Sequence, residues 1–346
     1  MNITFLFGNG FDIRVGLESS FETIIESYCK TESTSENISK FKKAMQDNPK
    51  LWSDFEMQMG KYTAEYGPND RTEYDDCIND FTVYFVKYLT AEESSVDYSN
   101  NQTHIVTAFK RFLLYFFSEL TPRYLNMINN KIINTPETVT YNIISFNYTH
   151  ILDKCIELAF QDNDIVGNHS CRSIKYDHKI NKKVYHIHGE LPGPIIMGLD
   201  SKKQIANKAW SETDHFCDRY VKPTTNIRYG SMIDDEITTL INNSSIICIF
   251  GMSLGETDGL WWRTIVNSVV SKDRYIIVYG YDKAATENNV TLSNLFDFQD
   301  QIRDRFIQVA NVREEFKKDI QKKIHPIQNT EHLNLQLVPK DKIHSA

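Results

Sequence analysis

The chain has 346 residues, of which 41% are hydrophobic and 24% are charged, and its formal net charge is -8. This length suits two ordinary domains or one large domain with an insertion, and the hydrophobic content allows a full core. Because nucleic acids are densely negative, an acidic chain argues against sequence-independent nucleic-acid binding as its main task. The sequence has no uninterrupted run of about 18 apolar residues, so we expect no membrane span.

The cysteines indicate the redox environment of the chain. All six lie far apart in the sequence, and none forms a CxxC pair. Such spacing does not suit a zinc ribbon or a disulfide framework. It therefore favours reduced thiols. The N-terminal apolar run has no basic segment before it and is too short for a signal peptide. Together these features predict a cytoplasmic protein.

The first predicted element is a buried strand over residues 2–7, which Gly8-Asn9-Gly10 turns into a helix starting near Asp12. From about residue 19 to residue 131 the chain changes to polar and aromatic segments with helical spacing. Few strand-like runs interrupt them. We therefore predict a helical insertion subdomain over residues 19–131, between residues 1–18 and 132–346 of a Rossmann-like nucleotide-binding domain.

Strand-like runs return in the second part of the chain, at residues 139–149, 184–189, 244–254 and 274–282, and more weakly at 306–310. They are short, rich in β-branched residues and almost continuously apolar, as expected for strands covered on both faces. Helical segments lie between several of them, whereas residues 161–183 are expected to form a loose loop. This alternation predicts an α/β protein with a doubly wound, mainly parallel sheet.

Four predicted strands end in small or polar residues, at 8–12, 145–149, 186–189 and 251–254. In an open α/β sheet, ligands bind outside the carboxyl ends of the strands. Each of these segments alone is also explained as an ordinary strand-to-helix turn. Four such ends in one chain favour a ligand site.

The glycine turn suggests a phosphate site of an unusual kind. Gly8 and Gly10, on either side of Asn9, would let a phosphate approach the backbone near a helix N-terminus. The dinucleotide fingerprint needs a third glycine where Ile13 stands, so an ordinary nicotinamide dehydrogenase is disfavoured. A carboxylate beside a phosphate is unfavourable unless it points away. We expect Asp12 either to cap the first helix or to bond a ribose hydroxyl.

His188 is the strongest single candidate for chemistry, because it ends a strand and imidazole exchanges protons near neutral pH. Asn147 would orient water or substrate through its amide, although asparagine also simply closes turns. His186 lies two residues before His188, and we expect one of the two histidines to be structural. A metal site at this pair would need a third ligand, and none is spaced convincingly, so no metal is expected.

These segments together resemble the bacteriophage abortive infection AbiH family. The resemblance is carried, in the expected order, by GNGFDIRVGL from Gly8, WSDFE at Trp52–Glu56, SFNYT at Ser145–Thr149, HIHGE at His186–Glu190, IIMGLD at Ile195–Asp200 and GMSLGETD at Gly251–Asp258. It implies phage resistance in bacteria, triggered by an unknown phage component.

The order of the strand ends is also similar, more distantly, to the sirtuin-like (SIR2) NAD-binding fold. This similarity implies that Asn147 positions the nicotinamide ribose and an attacking water, and that His188 is the base. It further implies contacts to NAD itself, from Gly8 and Gly10 to its phosphates and from Gly251 and Ser253 to its adenosine side.

The chain also departs from sirtuins. Thr149 stands where sirtuins have an aspartate that contacts the nicotinamide amide, and the cysteine pairs of their zinc ribbon are missing. Deacylation is therefore disfavoured, and cleavage of NAD to nicotinamide and ADP-ribose fits better. The alternative is a non-catalytic nucleotide-binding sensor that acts through a partner. Homo-oligomers are compatible with either function.

Overall fold

The computed structural model describes residues 1–270, 272–283, 285 and 291–338. It contains one seven-stranded sheet, formed by β1 (Asn2–Phe7), β2 (Val139–Ser145), β3 (Ile165–Cys171), β4 (Ile174–His186), β5 (Ser244–Phe250), β6 (Tyr275–Gly280) and β7 (Ile324–Gln328). The strand order is β3-β4-β2-β1-β5-β6-β7. Neighbouring strands are parallel except for β3, which runs antiparallel to β4. The prediction of an α/β protein with a mainly parallel sheet is confirmed.

The first strand occupies the middle of this sheet. β1 pairs with β2 on one side and with β5 on the other, so that Phe5 lies beside Ile143 and Cys248. Its residues from Ile3 to Phe7 are all buried, as the continuous apolar run predicts for a strand covered on both faces. The strand predicted at residues 2–7 is therefore confirmed at the centre of the sheet.

Only helices and turns connect β1 to β2. The α-helices are α1 (Gly10–Arg14), α2 (Phe21–Cys29), α3 (Glu36–Asp47), α4 (Pro49–Trp52), α5 (Phe55–Tyr62), α6 (Arg71–Ser94), α7 (Gln102–Tyr115) and α8 (Pro122–Ile133). The first part of this segment shares an aromatic core with residues 191–221, whereas Phe112 of α7 packs against Phe5 and Phe7 of the sheet. The domain boundaries at residues 19 and 131 stay a prediction.

Further helices with given bounds lie between the later strands, within the part of the chain that the structure describes. They are α9 (Ile151–Ala159), α10 (Lys208–Ser211), α11 (Asp214–Tyr220), α12 (Lys222–Tyr229), α13 (Ile233–Asn243), α14 (Gly259–Val269), α15 (Leu292–Val309) and α16 (Glu314–Gln321). Among the residues that the structure describes, no helix combines the length and the apolar content needed to cross a membrane.

Two predicted elements are wrong. Residues 306–310 were expected to form a weak strand, but they contain the last turn of α15, whose buried Phe298, Phe306 and Val309 recur at helical spacing. The loop expected at residues 161–183 contains β3 and most of β4 instead. These strands meet at Arg172 and Ser173, which have positive φ angles of 50° and 64° without the glycine that usually marks such a turn.

Candidate functional site

The carboxyl ends of four neighbouring strands bring the predicted site segments to one edge of the sheet. The strands β4, β2, β1 and β5 lie side by side in that order. They are followed by the segments that contain His188, Asn147, Gly10 and Gly251, respectively. Because parallel strands end on the same side, segments distant in the sequence meet there.

The glycine turn packs against the turn that follows β5. The N–H of Gly8 donates to the carbonyl of Phe250 at 2.9 Å, and the N–H of Gly10 donates to that of Gly251 at 2.8 Å. A Cβ atom on Gly10 would lie 2.6 Å from the Gly251 Cα atom, and one on Gly8 would lie 2.8 Å from the Gly251 oxygen. These glycines therefore let two backbones touch, and two N–H groups expected to face a phosphate are already bonded.

Asn9 and Ser253, two further predicted binding residues, have different surroundings. The Asn9 side chain donates to the carbonyl of Ser19 and accepts from the Ser19 hydroxyl, both at 2.7 Å, so it holds the loop after α1. Ser253 is exposed in the segment after β5, next to Leu254, whose φ is 52°. Nucleotide contacts at both residues stay predictions.

Asp12 is buried at the start of the chain's first helix, with only 2% of its surface exposed. Its carboxylate accepts from Asn147 Nδ2 at 2.8 Å and from Thr149 Oγ1 at 2.7 Å. The capping residue of α1 is Asn9, so the expectation that Asp12 caps the helix is wrong. Burial raises the pKa of Asp12 to about 7, although the hydrogen bonds from Thr149 and Asn147 oppose this rise.

Nearly every polar atom of Asn147 makes a hydrogen bond within the protein. Its N–H donates to Ser145 Oγ at 3.1 Å, its carbonyl accepts from His186 Nδ1 at 2.9 Å, and its Nδ2 donates to Asp12. Its Oδ1 is buried and has no hydrogen-bond partner among the described residues. An unpaired buried acceptor is costly, so this atom is the natural place for a ligand donor.

His186 has a structural role. Its Nδ1 donates to the Asn147 carbonyl, and its Nε2 lies 2.9 Å from Asp153 Oδ2 on α9. Burial lowers the pKa of His186, but the hydrogen bond and charge of Asp153 outweigh it and raise the pKa overall. Both ring nitrogens make hydrogen bonds within the protein. We expected one of the two histidines to be structural, and these contacts indicate that it is His186.

His188 belongs to a different set of contacts. It is 5% exposed, and its Nε2 lies 3.0 Å from Asp258 Oδ1. Its ring meets Phe146 edge-on at 5.4 Å between centroids. In the part of the chain that the structure describes, its Nδ1 makes no hydrogen bond. The predicted catalytic residues Asn147 and His188 thus lie at neighbouring strand ends but bond to different partners.

A buried lysine anchors the partner of His188. Lys222 Nζ lies 2.9 Å from Asp258 Oδ1 and 2.7 Å from Glu56 Oε2, while Glu56 Oε1 accepts from the Gly198 N–H at 3.0 Å. Burial disfavours the charged form of Asp258, but Lys222 and then His188 outweigh it and hold its pKa below the usual range. Burial likewise lowers the pKa of Lys222, and the two carboxylates raise it overall.

Sequence reasoning assigned no role to Glu56, Lys222 or Asp258. Glu56 and Asp258 do lie in the segments WSDFE and GMSLGETD, which carry the family resemblance, so a signal was present for both. Lys222 stands in no such segment. The structure brings these residues together from positions up to 202 apart in the chain.

The space beside His188 is small. The cavity there has a volume of about 10 Å³, and its lining includes Lys222, Asn226, Asp234 and Asp258. A cavity of this size holds roughly one water molecule. In this conformation, the cavity beside His188 therefore has no room for a nucleotide.

A comparison with protein families finds a match over most of the chain. The profile of the family described as "Bacteriophage abortive infection AbiH" matches residues 4–281, which include most of β1, the strands β2 to β6 and all the site residues described above. No protein with curated annotation gives a significant match to the chain. The chain belongs to the AbiH family of bacteriophage abortive infection proteins.

Proposed function

We propose that this protein protects bacteria from phage by cleaving NAD to nicotinamide and ADP-ribose in the cytoplasm upon infection. Loss of NAD would stop the host cell and, with it, phage replication. Membership of a phage abortive infection family supports the defence role. The NAD-cleaving activity is proposed from the polar groups at the strand ends and from their sirtuin-like order.

The pair of His188 and Asp258 carries the proposal. A carboxylate can only accept, so the Nε2 atom facing Asp258 must hold a proton. In a neutral imidazole, Nδ1 is then an unprotonated acceptor, and it has no protein partner in the described part of the chain. This arrangement suits a general base that takes a proton from water or from a ribose hydroxyl.

Asn147 supplies the second part of the proposed chemistry. The bond between nicotinamide and ribose breaks through an oxocarbenium-like sugar, so the attacking water and the ribose must be positioned. The unpaired Asn147 Oδ1 is a fixed acceptor for a hydroxyl or a water at that place. Its surroundings are already ordered before ligand binds.

The glycine turn has a revised role in this proposal. Because the N–H groups of Gly8 and Gly10 are bonded to the turn after β5, they do not serve as phosphate donors. Instead, the close contact of these two glycines with Gly251 holds the two turns together beside the proposed nucleotide site. The exposed Ser253 hydroxyl is available to its adenosine side.

The small volume of the cavity beside His188 bears on regulation. An activity that kills the cell must be silent before infection, and a space for about one water excludes NAD. We propose that the phage trigger opens this site. The unpaired Asn147 Oδ1 would also suit a second candidate function, a non-catalytic nucleotide-binding sensor that acts through a partner, because accepting a ligand hydrogen bond requires no turnover.

Nicotinamide release separates these functions. We expect the purified protein to release nicotinamide from NAD when a lysate of phage-infected cells is added. His188→Ala should reduce this rate by roughly 10²-fold or more, as for loss of a general base. His104→Ala, at an exposed position in α7, is the matched control and should keep the rate. Tight NAD binding without turnover would support the sensor, and neither binding nor turnover would contradict both.

A further inference from the structure

We infer that Asp12 is the positioning residue of Asn147, and that it fixes the side-chain amide so that Oδ1 remains the acceptor for a hydroxyl of the ligand. The inference rests on the proposed function only for the identity of that ligand, a ribose-containing nucleotide. The two residues are 135 positions apart, and one hydrogen bond of 2.8 Å joins them.

The chemistry of the two side chains sets the orientation of the amide. An asparagine amide has a donor end and an acceptor end, and it occupies nearly the same space after a half-turn. The Asp12 Oδ1 atom accepts, so only the Nδ2 end of Asn147 can face it. The half-turned amide would place two acceptors together in a buried site, which is unfavourable.

The contact to Thr149 allows this orientation to persist when Asp12 carries a proton on Oδ2. Thr149 Oγ1 donates to Asp12 Oδ2 at 2.7 Å. A proton on Oδ2 would reverse that bond, because a hydroxyl can accept as well as donate. Asp12 Oδ1 would still accept from Asn147 in that form, so a negative charge on Asp12 is not required for the clamp.

The backbone of Asn147 is clamped as well. Ser145 Oγ accepts from its N–H, and His186 Nδ1 donates to its carbonyl. Asp153 in turn fixes the other nitrogen of His186. After these contacts, Oδ1 is the one polar atom of Asn147 without a partner among the described residues.

An unpaired acceptor is what a binding site needs and what a folded core avoids. Leaving a buried acceptor unpaired costs on the order of 1–3 kcal/mol, and a ligand hydroxyl recovers that cost on binding. A site built to bond a hydroxyl also rejects analogues that lack it. Asp12 would thus act on the ligand only through Asn147.

Two variants of Asp12 test the inference. In Asp12→Ala the amide is released, and we expect roughly 10²-fold lower nicotinamide release and lost phage protection. Asp12→Asn retains an acceptor for Asn147 Nδ2 and a donor for Thr149. We therefore expect it to keep most of the nicotinamide release and phage protection that Asp12→Ala loses. Asp47→Ala, exposed at the end of α3, is the control and should resemble the wild type. Full activity of Asp12→Ala, or an Asp12→Asn variant as inactive as Asp12→Ala, would overturn the inference.

An exchange of the two side chains tests it if Asp12→Ala does not fold. Asn147→Asp alone places two carboxyl groups face to face and should lose protection. Adding Asp12→Asn restores a donor–acceptor pair and leaves an oxygen at residue 147 free. We expect the double variant to protect cells from phage at least about tenfold better than Asn147→Asp does. Failure to recover, with both variants folded, would overturn the inference.

The two readouts separate this inference from the proposed function. A wild-type protein that protects cells yet releases no nicotinamide would contradict NAD cleavage. The pattern of phage plating among the Asp12 variants would still judge whether Asp12 positions Asn147.

Discussion

Two buried polar networks lie at the same edge of the sheet, and they differ in how their charges are balanced. The Lys222 network comprises Glu56, His188, Lys222 and Asp258, and its lysine lies between two carboxylates. The Asp12 network comprises Asp12, Ser145, Asn147, Thr149 and His186. There, the carboxylate of Asp12 accepts hydrogen bonds only from an amide and a hydroxyl, both neutral donors.

This difference separates two tasks. Opposite charges in the Lys222 network tie α5 and α12 to Asp258, so they hold the orientation of His188. The Asp12 network holds the Asn147 side chain through the hydrogen bond from its amide to the Asp12 carboxylate, and it leaves one acceptor unpaired. Ion pairs thus stabilise the Lys222 network, whereas the Asp12 network presents an unpaired acceptor to a ligand.

The largest effect is expected from breaking the Lys222 network. Lys222→Met would leave Glu56 and Asp258 buried without their cation, at a cost of roughly 3–5 kcal/mol in the free energy of unfolding. Urea denaturation measures this loss. Lys40→Met removes an exposed ion pair with Glu36 and is the matched control, for which we expect no measurable change. Equal stability of the two variants would mean that the Lys222 network does not anchor the site.

A smaller effect is expected where the Asp12 network meets the turn after β5. In Gly10→Ala the new methyl group would meet the Gly251 backbone at 2.6 Å, so one turn must move. We expect a loss of about 1–3 kcal/mol in thermal melts. Gly255→Ala, whose Cβ would have ordinary contacts at 3.7 Å, is the control. Unchanged stability of Gly10→Ala combined with lost NAD binding would instead favour a phosphate site at the glycines.

The smallest effect is the pH dependence that Asp12 contributes. Its pKa is raised from 3.8 to about 7 in the folded protein, so the folded state binds the proton more tightly than the unfolded state. The resulting stability is fully present below pH 3.8 and is lost as the pH rises through about 7. Between about pH 6 and pH 8, the free energy of unfolding of the wild type should therefore fall by on the order of 1 kcal/mol more than that of Asp12→Asn. Parallel stability curves for the two proteins would show that Asp12 does not titrate in this range.

Sequence patterns predicted the centre of the sheet better than its edges. β1, β2 and β5 are buried along almost their whole length and are rich in apolar residues, so the sequence pattern of a strand covered on both faces is strong there. The edge strand β3 alternates between buried and exposed residues, and its turn lacks glycine. The edge strand β7 (Ile324–Gln328) is only five residues long, and it was not predicted.

The site was predicted in part, for a physical reason. Asn147 and His188 each lie two residues beyond the end of a strand, and strand ends are recognisable from local sequence. The ion pairs of the Lys222 network join residues 36 and 166 positions apart, so nothing local reveals them. The glycine turn, in contrast, has a clear local pattern with two explanations. The pattern predicted a phosphate site, but the close contact between the two backbones is enough to explain why these positions lack side chains.

NAD levels during infection test the central claim most directly. Bacteria that express the wild type, His188→Ala or the control His104→Ala are infected, and NAD and nicotinamide are followed until lysis of unprotected cells. We predict that NAD falls and nicotinamide rises with the wild type and with His104→Ala, while both stay constant with His188→Ala and phage multiply. Constant NAD in cells that the wild type nevertheless protects would contradict the account.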